Sequence, residues 1–349
     1  MTEPNTTLPV REQQTLGEFW TGNRKIILPF VIAVALIIFG ELLTTGFASA
    51  KHTLMLFKVA SFLGFLGLAQ TVVIISGNGG IDLSVGAMAS LGAVLGAAVL
   101  KGSDSRIAVA FVAVAAIGGL LGCLNGFMIA YFEIPALIMT LAMTSVVNGI
   151  IYILSSGTIL TGTSSPMLQA LSNGTTLGVP NIIYLWIATT AIAMFVLHFT
   201  KTGVTLYGVG SNERAAMLKG VDVKRFRVFV YGFSGAISAL TGMLLLGYIG
   251  TAFLDIGSRY MLPSVAAATI GGISISGGSG NYIGVIGGAF VLTVISAVLI
   301  SLQMGEAGRQ IVFGLVILVL LMIYGREKTE SGESVFSFAN ILRVFRLKE

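Results

Sequence analysis

Between Lys201 and Arg227 the chain places six basic residues, Lys201, Arg214, Lys219, Lys224, Arg225 and Arg227, in a segment walled on both sides by long apolar runs. Such a cluster does no covalent chemistry. Its cations suit recognition, of lipid headgroups on the one hand or of a docked protein on the other. At its centre, Ser211-Asn212-Glu213-Arg214-Ala215-Ala216-Met217-Leu218-Lys219-Gly220 predicts one short helix with both ends marked. Ser211 is placed to cap the first turn, Glu213 stands where the helix dipole favours an anion, and Lys219 falls in the last turn. Gly220 supplies the left-handed stop. Ala215 and Ala216 are small enough for close docking, while Glu213 and Arg214 offer charged contacts at the rim.

Other reactive types are sparse. Asp82 opens an apolar run, where it is either a gate residue at membrane depth or the cap of a helix starting at Leu83 beside the membrane surface. Gln70, Asn125 and Asn148, with Thr140, Thr144, Ser145 and Gln303, are polar groups inside apolar runs. They line a polar path or make interhelical hydrogen bonds. Glu41 and Lys58 are either partners across neighbouring spans or each reaches its own interface. His52 and His198 have no companions at ligand spacing, so no metal site is expected. Gly278-Ser279-Gly280 sits in no strand–turn–helix unit. No Gly-x-x-x-x-Gly-Lys-Ser/Thr loop is present, so the chain cannot itself cradle ATP phosphates. An enzyme is not expected, nor a cofactor bound by this chain.

The elements that must position these residues are membrane helices. Of 349 residues, 55% are hydrophobic and only 10% charged, and the mean hydropathy is +0.94. Soluble domains carry roughly 25% charged residues, so the chain is an all-α, polytopic membrane protein. The net charge of +5 reflects the bias of basic residues toward one membrane side rather than nucleic acid. Forty-five glycines suit close helix packing where lipid supplies no hydrophobic drive. The single Cys123 rules out an intramolecular disulfide. No cleavable signal is evident before Ile26.

Spans are expected near 26–46, 54–76, 82–100, 106–131, 135–155, 181–200, 228–251, 282–303 and 309–324. The stretch 260–276 is apolar but short and glycine-rich, either a span or a broken, re-entrant helix. The basic 201–227 loop, the uncharged 156–180 loop, Arg11, Arg24 and Lys25 before the first span, and the Lys and Arg residues of the tail predict both termini in the cytoplasm. That requires an even count, hence about ten crossings. The expected organisation is a cytoplasmic segment 1–25, a transmembrane domain 26–325 and a cytoplasmic tail 326–349. The outer 156–180 loop is either a docking surface for an external partner or merely a linker, and such docking could also use residues 251–260, where Asp255 and Arg259 sit.

An internal echo links the two halves. Gly79-Gly80-Ile81-Asp82-Leu83-Ser84-Val85-Gly86 and Gly271-Gly272-Ile273-Ser274-Ile275-Ser276-Gly277-Gly278 share a pattern, and each precedes a glycine-laced helix. Gly284, Gly288 and Ala289 fall where Gly92, Gly96 and Ala97 fall. Two pseudo-repeated halves are typical of transporters, although glycine-rich sequence can also mimic a repeat.

The string Gly77–Ala97, with Gly79, Gly80, Asp82, Ser84 and Gly86 at the helix entry, together with Leu206–Gly235, closely resembles the permease subunit of monosaccharide importers of the ATP-binding-cassette type, the ribose/xylose/galactose family. The similarity extends over roughly 26–325. It implies a membrane core of two permease chains, homodimeric or heterodimeric, a cytoplasmic ATP-binding subunit that holds ATP and Mg, and a periplasmic sugar-binding protein. It also implies that Ser211, Asn212, Glu213, Arg214, Ala215, Ala216 and Gly220 form the coupling helix that seats in the ATPase, within a bacterial inner membrane. Rival expectations are an importer permease for nucleosides or branched-chain amino acids, a self-sufficient secondary transporter, and an inert membrane scaffold. A secondary transporter would need an intramembrane charged coupling site, of which the sequence offers almost none.

Overall fold

The computed structural model describes residues 16–155 and 160–324. Ten helices follow the expected crossings: α1 (Leu16–Leu43), α2 (Ala50–Ile75), α3 (Val85–Leu100), α4 (Ile107–Tyr131), α5 (Ala136–Leu154), α7 (Asn181–Phe199), α10 (Val223–Ile249), α11 (Met261–Ile270), α12 (Tyr282–Ser301) and α13 (Glu306–Tyr324). Three shorter ones lie between them: α6 (Pro166–Asn173), α8 (Lys201–Ser211) and α9 (Glu213–Leu218). Seven described helices are long and apolar enough to cross a membrane. Two small antiparallel pairs were not foreseen. β1 (Leu160–Thr163) joins β4 (Thr251–Phe253), and β2 (Thr175–Thr176) joins β3 (Val179–Pro180).

Burial sorts the helices into centre and rim. In α2, 83% of the apolar window is buried, and in α10, 67%, against 22% in α4, α5 and α7. The rim helices turn Val109, Val112, Leu120, Ile187 and Phe195 outward. An exposed apolar face of that extent is at home in lipid. Glycine brings the central helices together. A methyl group on Gly122 of α4 would overlap the Tyr231 carbonyl oxygen of α10, and one on Gly126 would lie 2.6 Å from the Val228 Cα. Likewise Gly92 of α3 faces the Ala239 carbonyl, and Gly242 of α10 faces that of Ala89. Backbones meet there without intervening side chains, which makes α3, α4 and α10 one stiff body.

Two crossings are broken. After α2 the chain bends at Gly77, Asn78 and Gly79, all at positive φ, and turns back toward the interior. The Gln70 side chain brackets the Asp82 backbone, its Nε2 donating to Asp82 O at 2.5 Å and its Oε1 accepting from Asp82 N at 3.3 Å. Gln70 stands six residues before Ser76, so Asp82 lies about 9 Å in from the end of α2. The partner break comes from the opposite face. From β4 the chain descends through 254–260 before α11 begins, and Gly257 N donates to Ser90 Oγ at 3.0 Å. Gly257 also packs on the Gly86 carbonyl. The 260–276 stretch is thus a broken crossing: its helix stops at Ile270, because glycines with positive φ at 272, 277, 278 and 280 cannot extend it. It still passes from the β1–β4 side to the side carrying α9, alongside the seven described helices long and apolar enough to span a membrane.

The two echoing segments have different surroundings. Asp82 and its counterpart Ser274 are both buried, but Asp82 is reached by Ser234 of α10, whereas Ser274 N donates to Ser279 O at 3.1 Å within its own loop, whose end lies beside α2, Gly278 N donating to Ile75 O at 2.9 Å. Their following helices also choose different partners. Gly92 and Gly96 of α3 pack on α10, while Gly284 and Gly288 of α12 pack on α11.

Candidate functional site

The basic segment folds as two helices rather than one. Thr200 caps α8, its hydroxyl accepting from Gly203 N at 3.4 Å. Gly210, near the end of α8, presses against the Ile75 carbonyl, and Ser211 Oγ donates to Gly278 O at 3.3 Å. The cap of α9 is therefore Asn212, not Ser211: its Oδ1 accepts from Ala215 N at 2.9 Å. An extended Asn212, with φ −156, makes the corner that separates the helices and frees its side chain to reach over the next turn. The stop is as expected. Gly220 has φ +85, and Val221 N returns to Ala216 O at 3.1 Å. Asp222 then caps α10 by accepting from Arg225 N at 3.0 Å. Tyr207 OH donates to Gly280 O at 2.9 Å, and burial raises its phenol above the ordinary value.

Glu213 does not project to the rim. Its Oε2 lies 2.9 Å from Arg227 Nη2, and that guanidinium side chain is only 7% exposed. Ala216 is buried against Val209 and Val223. The outward side of α9 consists instead of Arg214, Ala215, Met217, Leu218 and Lys219, with Leu218 90% exposed. The result is a short helix held from behind by an ion pair and presenting an exposed apolar side chain, Leu218, between the cations Arg214 and Lys219.

The second constellation surrounds Asp82, which is fully buried rather than a cap at the membrane surface. Helix α3 starts at Val85, three residues after it. Asp82 Oδ1 accepts from Ser84 N at 2.9 Å and from Ser84 Oγ at 2.5 Å, and its Oδ2 accepts from Ser234 Oγ of α10 at 2.7 Å. Asn125 of α4 donates to Ser84 Oγ at 3.1 Å. Thr140 Oγ1 of α5 accepts from Leu83 N at 3.0 Å. The glycine bend at 77–79 is the reason: it carries Asp82 inward, where a helix starting at the surface would have left it. Gly80 and Gly86 pack tightly there, on Val73 O and on Gly257 O.

Gln70 and Asn125 thus sit in interhelical hydrogen bonds within the chain, away from any open surface. Asn148 is different. It is exposed on α5 in a stripe with Leu141, Ser145 and Tyr152, spaced three or four residues apart. Glu41 and Lys58 are not partners. Glu41 accepts from Gly46 N and Ala48 N at 2.9 and 2.6 Å, and Lys58 Nζ donates to Asn173 O at 3.1 Å and to Asn173 Oδ1. Among the described residues no cluster of three or more His, Cys, Asp or Glu side chains could hold a metal ion. One surface groove of about 440 Å³ lies between α4 and α6, lined by apolar groups including Phe111 and Met167, and has no convergent polar set for a sugar.

Sequence reasoning missed α6. Ser165 and Pro166 open it as cap and first helical residue, a signal visible in the chain but masked by the polar loop around it. Residues 156–159 of that loop, together with 1–15 and 325–349, lie outside the described residues, and with them most of the expected N-terminal segment and all of the tail.

Comparison with known proteins yields a family described as the permease component of the branched-chain amino acid transport system, whose model matches residues 52–323. The chain is 31% identical over 304 residues to the autoinducer 2 import system permease protein of Shigella flexneri, covering 87% of this chain and 88% of the relative. It is 27% identical over 327 residues to the ribose import permease protein of Escherichia coli K12, covering 93% and 100%. The ribose import permease of Haemophilus influenzae is 30% identical over 310 residues, covering 88% and 94%. No solved structure matches the chain.

Proposed function

Because this chain belongs to the family of branched-chain amino acid transport permease components, we propose that it is the membrane-spanning subunit of an ATP-driven importer whose cargo is a monosaccharide or a similar polar small molecule. The observation that carries this reading is α9: capped by Asn212, stopped by Gly220, braced by Glu213–Arg227 and exposing Leu218. In this reading α9 seats in a cleft of a cytoplasmic ATPase subunit, which binds ATP and Mg. The face carrying α9 is cytoplasmic, since the six basic residues of 201–227 outweigh the scattered cations opposite. A second permease chain completes the path. Ser145 and Asn148, polar and exposed on a membrane helix, would be costly against lipid and suit the walls of a hydroxyl-bearing solute's route. A binding protein docks on the opposite face, around α6 and the β1–β4 pair, and selects the cargo.

ATP binding by the partner draws the two α9 helices together and opens the path toward the loaded binding protein; hydrolysis resets it. Leu218→Glu tests the reading without touching the core, because that side chain is almost fully exposed. The variant should insert normally yet lose ATPase copurification and solute uptake. Undiminished uptake and attachment would refute the assignment, and uptake by the chain alone in vesicles would point to a secondary transporter. The family description favours a second cargo, branched-chain amino acids. Competition of labelled ribose and leucine for uptake separates the two.

A further inference from the structure

Among the described residues, two charged side chains are buried, Asp82 and Arg227, and one face of α10 engages both. Arg227 and Ser234 are seven residues apart, two turns on the same side of the helix, about 10 Å along its axis. At one end Arg227 takes Glu213 of α9; at the other Ser234 donates to Asp82. The α10 backbone cannot slip relative to α4, because Gly118, Gly122 and Gly126 pack on its main chain. From that joint body two donors converge on the 82–84 turn, Ser234 Oγ to Asp82 and Asn125 Nδ2 to Ser84.

The turn is connected onward. Gln70 clasps the Asp82 backbone and lies 3.4 Å from Ser264 Oγ of α11, and Ser90 of α3 holds Gly257 ahead of α11. Both broken crossings are thus tied to the point where Asp82 meets α10. The acid is suited to this in a way an amide is not. Both carboxyl oxygens accept here, Oδ1 from Ser84 N and Ser84 Oγ and Oδ2 from Ser234 Oγ, whereas an amide has one acceptor oxygen and must reverse the bond to Ser234. Burying an ionisable group at this depth is costly for a merely decorative contact.

We infer that Asp82 is a positioning residue for transport, the latch through which the α4–α10 body, displaced at α9, moves the two broken crossings. This rests on the reading of α9 as the contact with an ATPase. A displacement arriving at Arg227 reaches Asp82 as a rigid shift of α10. The hydrogen bond from Ser234 then draws the 77–84 turn with it, and Gln70 and Ser90 pass the shift to the α11 side.

The test uses the whole complex, permease, ATPase and binding protein, reconstituted in vesicles, and reads the number of solute molecules taken up per ATP hydrolysed. Ser234→Ala removes the α10 donor alone, and Asp82→Asn keeps the shape while spoiling the acceptor set. In variants that insert, assemble and melt like the parent, this ratio should fall about tenfold, within the usual range of coupling between sites. Glu213→Gln combined with Ser234→Ala should lower it less than the product of the single effects, since both cut one line. An unchanged ratio in both Ser234→Ala and Asp82→Asn overturns the inference, as do fully multiplicative effects. So does a loss of uptake and ATPase activity in proportion to lost thermal stability, the mark of a purely structural role. A parent chain that takes up solute with no ATPase present would overturn the underlying reading instead.

Discussion

Glu213→Gln is the most informative single change, because it separates the brace behind α9 from the surface in front of it. The pair has one buried partner and one that is a third exposed, Arg227 at 7% and Glu213 at 34%. Exposed pairs contribute about 0–1 kcal/mol, while breaking a fully buried pair costs about 3–5 kcal/mol. With the guanidinium buried and the carboxylate partly wet, the loss should be about 2 kcal/mol, most of it the cost of leaving Arg227 unpaired. That corresponds to roughly a 30-fold shift in the equilibrium between seated and unseated α9. Hydrogen exchange reports it directly. The Lys219 and Val221 amides, which bond to Ala215 and Ala216 within α9, should exchange roughly 30-fold faster, while amides at the centre of α2 stay unchanged. Adding Arg227→Met removes the orphaned charge and should restore much of the protection without restoring coupled uptake. If exchange at Lys219 and Val221 is unaltered in Glu213→Gln, the ion pair does not hold α9 and the mechanical reasoning fails.

Gly220→Val forces a branched residue to φ +85; it should cost about 1–2 kcal/mol locally and lower uptake with little change in the melting temperature of the membrane domain. Asn212→Ala should loosen α9 by about 1 kcal/mol through the lost cap, visible as faster exchange at Ala215, whereas Ser211→Ala leaves that amide protected. Gly122→Ala drives a methyl into the Tyr231 carbonyl and should destabilise the α4–α10 contact by about 1–3 kcal/mol in a detergent melt. Gly149→Ala, with open space around it on α5, should be neutral or slightly stabilising in the same assay, and equal effects of the two would contradict the packing argument.

The legible part of the sequence was the part governed by lipid. Long apolar runs mark where the long helices fall, since hydrocarbon enforces both helix length and internal hydrogen bonding: a span expected at 181–200 is α7, Asn181–Phe199, whereas 260–276 is open in the sequence between a span and a broken helix. Gly220 was legible because a left-handed stop has few chemical solutions. Ser211 was misjudged because Ser and Asn are equally good caps. Which one serves depends on the corner between α8 and α9, and that corner is set by Gly210 against Ile75 and Ser211 against Gly278, contacts across the chain. For a related reason the sequence leaves Asp82 open between membrane depth and a surface cap. Its burial follows from the inward turn at 77–79, and a run of glycines does not say which way it will bend until Gln70 is there to meet it.

The distribution of polar groups now has a physical logic that apolar patterning alone does not provide. Where the chain must be stiff, between α4, α10 and α3, backbones touch through glycine and no side chain can yield. Where it must change direction inside the membrane, at 77–84 and 254–260, α-helix gives way to turns and one 3-10 turn (Ser258–Tyr260), and polar side chains supplement the bonding: Gln70 for Asp82, Thr140 for Leu83, Ser90 for Gly257. Irregular backbone at that depth is tolerable only when so bonded. These bonds differ from the glycine contacts in one respect that matters for motion. A backbone clash admits a single arrangement, whereas a hydroxyl or carboxamide can exchange one partner for another across a short displacement. In the proposed mechanism the stiff body and the polar joints would divide the work: a push received at α9 would be carried by α10 to the place where the chain is held by exchangeable bonds, around Asp82.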